Sequence, residues 1–537
     1  MNMTRKNRFL GFVLSFILLI TAQWSIAYAD TTLPTKYDLR EENRVTSVKD
    51  QGKINGCWAF AALSSLESNI KYRENREMDF SENNMLTQHG FDLTSKNGGN
   101  MYMATAYLAS WKGTVLEEKD TYPLVGQNPI NRGIMNADYK VQDVIFIPKR
   151  ENFKDNDKIK KAVKEYGAVY TNIKWNDAYY NREQKSYQNS SAKGFDHAVS
   201  IVGWDDDYSK DNFLGDEKYG DGAFICKNNW DTNWGDKGYF YVSYYDFNIG
   251  NTDDAVFLGN NGKVYNNIYQ YDELGQTDMT GFAKDTGWFT NVFEAENYKE
   301  KLKGVSFYTT GEDSTYEIWI VRDFNNIDSL KNKAKIKSGK ITSMGYHTIS
   351  LNDIALDPNE KFAVIVKLTT KGSKDPISIE SPKGEFSSKA KANENESFIS
   401  SNGENWTDLT TREANTNVCL KAFTNSEKIV LKENDLKIEQ IDKKDFLNGE
   451  EVFVKVKIKN EGSKEQKVAL MVGLYDENNQ MINHSYMNEK IKSTEEMKLS
   501  ASVFVPKSGK YKVKGFVWDD SDKGICYMKE PIELNIQ

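Results

Sequence analysis

The periodicity of apolar residues changes once along this chain of 537 residues, and that change limits the folds open to it. Apolar side chains recur at helical spacing over residues 58–72, and similar patterns follow at 101–111 and 158–166. The last pattern ends at Gly167, which fits a helix C-cap. From residue 168 onward the pattern changes to short strand-like runs. Helices followed by strands predict an α+β domain with two segregated halves over residues 30–262.

After residue 262 the strand signal dominates. Apolar runs at 305–308, 316–321 and 361–367, separated by Gly, Asn and Asp, predict a β-sandwich over residues 263–426. Alternating runs follow at 452–458, 468–474 and 510–517, and their spacing predicts an immunoglobulin-like sandwich over residues 427–537.

The N-terminus has the pattern of a secretory signal. Three basic residues precede an apolar run at 9–20, and an A-x-A arrangement at 27–29 fits cleavage before Asp30. The alternative is an uncleaved anchor, but the apolar run is short for a membrane span. We therefore predict a signal peptide over residues 1–29 and a secreted chain, extracellular or loosely attached to the cell wall. No membrane span is expected after cleavage.

The composition argues against nucleic-acid binding, and the small number of cysteines bears on what each of them does. A net charge of −8 offers no basic footprint for nucleic acid. The chain has only four cysteines, too few for a disulfide-stapled scaffold and at spacings that match no zinc site. At least one of them can therefore be kept for its reactivity. Cys226, Cys419 and Cys526 lie in strand-like segments and are predicted to be buried core residues.

Cys57 has a different setting, because it lies at the first turn of the first predicted helix. We expect the partial positive charge of the helix N-terminus to lower the pKa of its thiol. Gln51 lies just upstream, where its amide could donate to a developing oxyanion beside the Cys57 N–H. The alternative is a structural thiol buried in the core.

A thiol nucleophile needs a base, and the chain has four histidines. His197 begins an apolar strand, where its ring can project into a cleft, and it is the best candidate by elimination. Asn228 is a plausible orienting partner, because an amide oxygen accepts from a ring N–H. Trp230 and Trp234 could shield that hydrogen bond from water.

The order of these segments resembles the papain-like (C1) cysteine peptidases, from Leu33-Pro34 to Tyr244. The matching motifs are Gln51-Gly52, Cys57-Trp58-Ala59-Phe60, Phe80-Ser81-Glu82-Asn83, Asn97-Gly98-Gly99, Asp196-His197-Ala198-Val199 and Lys227-Asn228-Asn229-Trp230. The resemblance implies an α+β papain-like catalytic domain with a helical half and a β-barrel-like half. It also implies a triad of Cys57, His197 and Asn228, with Gln51 in the oxyanion hole, that hydrolyses peptide bonds through a thioester.

The resemblance further implies a substrate cleft. Gly98 and Gly99 would bind the substrate backbone. Met101 is assigned, on a less specific match, to the second substrate pocket. The remaining residues implied at the cleft are Phe195, Asp196, Ala198 and Trp230. Protein or peptide substrates follow from this assignment, and no metal or cofactor is required for catalysis.

Three features depart from the family pattern. Ile54 and Lys96 stand where the family has two half-cystines of one bridge, so both ends are lost together. Asn229 stands where serine is common. The predicted cleavage before Asp30 leaves almost no room for the usual pro-region.

The rest of the chain leaves alternatives open. The middle module resembles the lectin-like sandwich that follows papain-like domains in some bacterial secreted peptidases, which implies a glycan or cell-wall ligand. Its aromatic residues Trp288, Phe289, Trp319 and Trp406 could stack on sugar or belong to the core. An acidic stretch at 205–221 suggests a binding site for a structural Ca²⁺, and the alternative is a solvated loop. The chain could instead be a catalytically silent adhesin or a cell-wall peptide amidase.

Overall fold

The computed structural model describes residues 33–123, 127–215, 219–260, 262–296, 299–426, 436–440, 446–477, 481–518 and 532–535. The predicted signal peptide and Cys526 lie outside these residues. The described chain divides into two compact units. One comprises residues 33–260 with 343–346, and the other comprises residues 262–342 and those from 347 onward.

The first unit holds four α-helices among its described residues: α1 (Cys57–Glu74), α2 (Glu82–Gln88), α3 (Met101–Ala109) and α4 (Asp157–Tyr166). Its strands are β1 (Lys36–Asp38), β2 (Asp143–Ile147), β3 (Val169–Ile173), β4 (Tyr180–Asn181), β5 (Ser186–Tyr187), β6 (His197–Asp205), β7 (Ala223–Lys227), β8 (Tyr239–Ser243) and β9 (Asp254–Leu258).

Helix α1 is the central element of this unit. Its residues 58–70 are all buried, and it packs against β6 and β9. It ends at Glu74, and the C-cap residue Asn75 takes a left-handed conformation with φ 51°. Asn is one of the few residues that adopt this conformation readily, so the sequence itself stops the helix here. The buried helix fixes the position of its first residue, Cys57.

The strands of the first unit pair in the order β2-β9-β3-β6-β7-β8-β5-β4, with β1 added to β6. The pairs are antiparallel except β5 with β8. Every residue of β6 from His197 to Trp204 is buried. Because both faces of β6 are covered, the strand reads as a continuous apolar run.

The second unit begins with strands β10 (Asn267–Tyr269), β11 (Asp278–Thr280), β12 (Thr286–Glu294), β13 (Glu300–Thr309), β14 (Ser314–Val321), β15 (Ala334–Ile341), β16 (Met344–Leu356), β17 (Lys361–Thr369), β18 (Ile377–Glu380), β19 (Ser397–Ser400), β20 (Thr407–Asp408), β21 (Asn417–Val418) and β22 (Leu420–Ser426), with a short helix α5 (Leu409–Arg412). Six of these strands form one sheet in the order β15-β14-β17-β12-β19-β20. Phe289, Phe307, Ile318 and Val364 lie in the core beneath it.

The C-terminal part of the second unit is a smaller sandwich. Its strands are β23 (Leu436–Gln440), β24 (Glu451–Asn460), β25 (Gln466–Tyr475), β26 (Met481–Ile491), β27 (Glu496–Phe504), β28 (Lys512–Trp518) and β29 (Ile532–Asn535). They form two sheets, β23-β24-β27 and β26-β25-β28-β29. The sheets share a core of their own that includes Val454, Leu470, Leu499 and Val513.

The predicted α+β domain followed by all-β modules is confirmed. None of the helices in the described part of the chain is long and apolar enough to cross a bilayer. The periodicity missed α2, which is short and polar in sequence although its residues 82–86 are buried.

Candidate active site

Cys57 lies at the start of α1, where the chain turns out of a glycine-containing loop. Gly52 has φ 59° in this loop, a conformation that glycine adopts without strain. The side chain of Cys57 is partly exposed, and the backbone N–H groups of Ala198 and Trp58 hydrogen-bond to its thiol. Because Ala198 follows His197 directly, this contact places the thiol beside the start of β6.

His197 and Asn228 meet across two neighbouring strands. Ser200 of β6 lies opposite Lys227 of β7, so the residue after Lys227 reaches the start of β6. His197 Nε2 and Asn228 Oδ1 are 2.8 Å apart, and both residues are buried. This bond engages Nε2 and leaves Nδ1 as the ring nitrogen for the thiol.

Trp230 covers the His197–Asn228 bond. Its ring stacks on the His197 ring with centroids 4.5 Å apart and planes 24° apart. Trp175 and Trp234 pack edge-on against Trp230, at 4.9 and 5.3 Å. Trp234 was predicted to take part in this shield, whereas Trp175 lies after β3 in a segment where no sequence motif marked it.

Gln51 is held on the other side of Cys57. Its backbone N–H donates to Asn229 O at 2.9 Å, and its side-chain Nε2 donates to Ile54 O at 2.7 Å. An amide nitrogen carries two hydrogens, so one Nε2 hydrogen remains for a further acceptor. Asn229 donates its side-chain N–H to Ala198 O at 3.2 Å, which ties this loop to β6. Sequence reasoning gave Asn229 no such role.

Burial has the largest effect on the pKa values of Cys57 and His197. It raises the pKa of the Cys57 thiol, although the N–H groups of Ala198 and Trp58 act in the opposite direction. Burial outweighs these hydrogen bonds, so the pKa of the thiol is raised, whereas the position at the helix N-terminus had led us to expect a lower value. Burial also lowers the pKa of His197 to about 4, against the Asn228 bond, which raises it.

Gly98 and Gly99 form a flat strip beside the helix. Gly98 has φ 80°, and a Cβ at Gly99 would lie 2.5 Å from Trp58 Cε2. A side chain at Gly99 would therefore collide with the Trp58 ring. Next along the chain, Asn100 caps α3 by accepting from the N–H groups of Tyr102 and Met103, and Met101 is buried.

Two of the predicted cleft residues beside His197 point to solvent. Phe195 is 60% exposed, and Asp196 accepts from Trp175 N at 2.8 Å and pairs with Lys174 Nζ at 2.7 Å. Ala198 is buried and contributes its N–H to the Cys57 thiol. The exposed ring of Phe195 thus lies two residues from the base.

Hydrogen bonds join the segments that carry Ile54 and Lys96. Asn55 N donates to Ser95 O at 3.2 Å, and Asn55 Nδ2 donates to Lys96 O at 2.7 Å. These two bonds connect the segments at which the family places a disulfide.

The other described cysteines and the acidic stretch lie apart from this site. Cys226 and Cys419 are buried, and burial raises the pKa of each thiol well above its ordinary value. In the acidic stretch, Asp205 pairs with Lys36 and Asp206 with Lys160. Within the described ranges, no group of three or more His, Cys, Asp or Glu side chains is placed to hold a metal ion.

Comparison with known proteins agrees with this geometry. Residues 33–257 match the family described as papain family cysteine protease. Over these residues the chain is therefore similar to the papain-family cysteine proteases. Residues 268–424 match the family described as lectin like domain, as the sequence of the middle module predicted.

Among curated relatives, the viral cathepsin of Lymantria dispar multicapsid nuclear polyhedrosis virus is 34% identical over 211 residues, which are 39% of this chain and 54% of the relative. Cathepsin K of Gallus gallus is 30% identical over 224 residues, 39% of this chain and 59% of the relative. The chain thus spans less than two thirds of either relative.

Solved structures of Cwp84 match both domains. The cysteine protease and lectin-like domains of Cwp84, a surface layer associated protein of Clostridium difficile, match with TM-score 0.63 and 26% identity, covering 73% of this chain and 89% of that one. Clostridial Cwp84 after propeptide cleavage matches with TM-score 0.64 and 27% identity, covering 73% and 99%. The papain-family domain followed by a lectin-like domain is therefore an arrangement that this chain shares with Cwp84.

Proposed function

We propose that the chain is a papain-type cysteine endopeptidase in which Cys57, His197 and Asn228 act as the triad. The observation that carries the proposal is the 2.8 Å contact between His197 Nε2 and Asn228 Oδ1 beside the Cys57 thiol, buried under Trp230. The asparagine fixes the ring orientation and favours the imidazolium that forms during the reaction.

The reaction follows from these positions. Cys57 transfers its proton to His197 Nδ1, and the sulfur attacks the peptide carbonyl. The oxyanion accepts from the free Gln51 Nε2 hydrogen and from the backbone N–H of Cys57. Imidazolium His197 protonates the leaving amine, and a water activated by the same ring then hydrolyses the thioester. The proton from Cys57 thus leaves with the amine product, and the proton that the ring takes from water returns to the Cys57 sulfur as the acid product departs, which regenerates the thiol.

Peptide substrates fit this site better than cell-wall amides do. The strip at Gly98 and Gly99 has no side chains and can lie against an extended peptide backbone, whose N–H and C=O groups it can bind. An adhesin with a silent catalytic domain would need neither the free Gln51 hydrogen nor the His197–Asn228 bond. Degradation of unfolded protein, with wall fragments left intact, would separate the endopeptidase from the amidase.

Replacement of the nucleophile tests the proposal. Cys57→Ala should abolish hydrolysis of an unfolded protein such as reduced casein, because Cys226 and Cys419 are buried and burial raises the pKa of both thiols well above the ordinary value. Cys226→Ala is the matched control and should retain hydrolysis, since Cys226 is buried in the core. Undiminished hydrolysis in Cys57→Ala would remove the assignment.

We also propose that the chain is exported and acts outside the cell or at its wall. The signal-like N-terminus supports this proposal, as does the similarity to a surface layer associated protein. The lectin-like domain is proposed to bind a saccharide. Analysis of the mature N-terminus by mass spectrometry would test the predicted cleavage before Asp30.

The triad chemistry needs no cofactor, because thiol, imidazole and amide supply every step. A structural calcium ion in the acidic segment stays a prediction. An increase in Tm on addition of calcium would support it, and an unchanged Tm would remove it.

A further inference from the structure

The six-stranded sheet of the lectin-like domain has one face in the core and one face that is only partly covered. On β14, Tyr316, Ile318 and Ile320 point into the core. The alternate residues Thr315, Glu317 and Trp319 lie on the opposite face, because side chains alternate along a strand. Near Trp319 this outer face packs against Phe324 and Leu330. Around Thr315 and Glu317 it forms a groove of about 380 Å³.

We call this the Glu317 groove. It is lined by Thr315, Tyr316, Glu317, Lys335, Ser338, Gly339, Lys367 and Thr369. Its volume lies within the range of about 300–1,000 Å³ that ligand pockets usually occupy. Apart from Tyr316 and Gly339, every lining residue has a polar or charged side chain, so the groove offers little surface to a lipid or to an apolar side chain.

Glu317 lies at the centre of the groove, between two ammonium groups. Its carboxylate oxygens accept from Lys335 Nζ at 2.8 Å and from Lys367 Nζ at 2.9 Å. These hydrogen bonds lower the pKa of Glu317 and keep it ionised. The Glu317 side chain remains 26% exposed, so it can still receive a further hydrogen bond.

A β-bulge brings Lys335 to the groove. The β14–β15 register shifts after Ile318, so Trp319 lies opposite Lys335 and Ile336 is skipped. In an unbroken ladder Lys335 would oppose Ile320, on the other side of the sheet. Bulges often re-aim a side chain at a functional position, and here the bulge moves a lysine to the partly covered face.

Tryptophan rings hold the two ammonium groups in position. Lys335 Nζ lies 5.2 Å from the Trp319 ring centroid, and Lys367 Nζ lies 5.5 Å from that of Trp288. Cation–π contacts of this kind reduce the mobility of a lysine side chain. The groove is therefore largely ordered before any ligand binds, which reduces the entropy lost on binding.

We propose that the Glu317 groove binds a neutral saccharide through a pair of vicinal hydroxyls. A hydroxyl both donates and accepts, so one hydroxyl can donate to Glu317 while its neighbour accepts from Lys335 or Lys367. An acidic polymer would meet the Glu317 carboxylate in the middle of the groove, and a basic one would meet two ammonium groups. Thr315, Ser338 and Thr369 provide further hydroxyl partners. This inference rests on the saccharide proposal for the lectin-like domain and is independent of the peptidase site.

The test uses the full chain carrying Cys57→Ala, which prevents self-cleavage, on an array of immobilised neutral oligosaccharides. Retention is expected on members with free vicinal hydroxyls, and it should be lost after the same members are oxidised with periodate, which cleaves vicinal diols. Glu317→Ala and Lys367→Ala should each weaken retention about tenfold or more, the effect of losing a charged hydrogen bond. Lys361→Ala is the matched control: it removes an exposed lysine of β17 outside the groove and should change nothing.

Retention that survives periodate, or that both groove variants leave unchanged, would overturn the groove assignment. An array with no retention at all would overturn it together with the saccharide proposal. Neither result bears on catalysis, because Glu317→Ala in the chain with intact Cys57 is expected to hydrolyse casein at the wild-type rate. A wild-type chain without hydrolysis would instead contradict the peptidase proposal alone.

Discussion

At the scale of single residues, the buried ring of His197 sets the pH dependence of the reaction. Burial lowers the pKa of His197 to about 4, so the ring is neutral above that pH and protonated below it. Only the neutral ring can accept the Cys57 proton. We therefore expect the rate of peptide hydrolysis to fall as the pH drops through about 4, and to change little around pH 6.5, where an exposed histidine titrates.

Initial rates measured from acidic to neutral pH would show this decrease in the rate of hydrolysis at low pH. Circular dichroism at each pH would serve as the control that the fold persists. A midpoint near 6.5 would mean that the ring is hydrated and that Trp230 does not shield it.

At the scale of elements, a buried charge cluster anchors the end of β7 behind the triad. Lys227, at the end of that strand, donates to Ser64 Oγ at 3.2 Å and to Thr46 Oγ1 at 3.3 Å. Thr46 in turn donates to Glu67 Oε2 at 2.8 Å, and Lys49 pairs with the same carboxylate at 3.3 Å. Because Asn228 follows Lys227 directly, this cluster positions the residue that orients His197.

Replacement of Lys227 should therefore act on the rate constant more than on substrate binding. Lys227→Met keeps the length of the side chain but removes its hydrogen bonds, at a cost of about 1–3 kcal/mol. We expect kcat to fall about tenfold with KM nearly unchanged, as measured with a fluorogenic peptide. Lys164→Met, which changes an exposed lysine of α4, should leave both constants at wild-type values. An unchanged kcat in Lys227→Met would show that the cluster does not position Asn228.

Sequence reasoning located the elements but not the contacts that depend on their packing. Helical spacing predicted α1, and short apolar runs bounded by Gly, Asn and Asp predicted β14 and β17, because each pattern matches the geometry of its element. The role of Asn229 and the buried charge cluster behind the triad could not be predicted from such patterns. Their partners lie far apart in sequence and meet only when α1 packs against β6. The pKa of Cys57 was misjudged for the same reason, since burial is a property of the folded cleft.

At the scale of the whole molecule, the two units have separate hydrophobic cores. Residues such as Val199 and Phe240 form one core, whereas Phe289 and Val454 belong to clusters in the second unit. Units with their own cores usually unfold as separate cooperative transitions. We expect differential scanning calorimetry to show more than one transition, with a covalent inhibitor on Cys57 raising the Tm of only one of them. A single transition that shifts as a whole would contradict this.

The central claim is that Cys57 is the activated nucleophile of a papain-type site. Reaction of the full chain with a thiol-directed epoxide inhibitor, followed by peptide mapping by mass spectrometry, tests it most directly. The account predicts one adduct, on Cys57, whose formation is strongly slowed in His197→Ala. An adduct on Cys226, Cys419 or Cys526 in place of Cys57, or labelling of Cys57 at the same rate without His197, would contradict it.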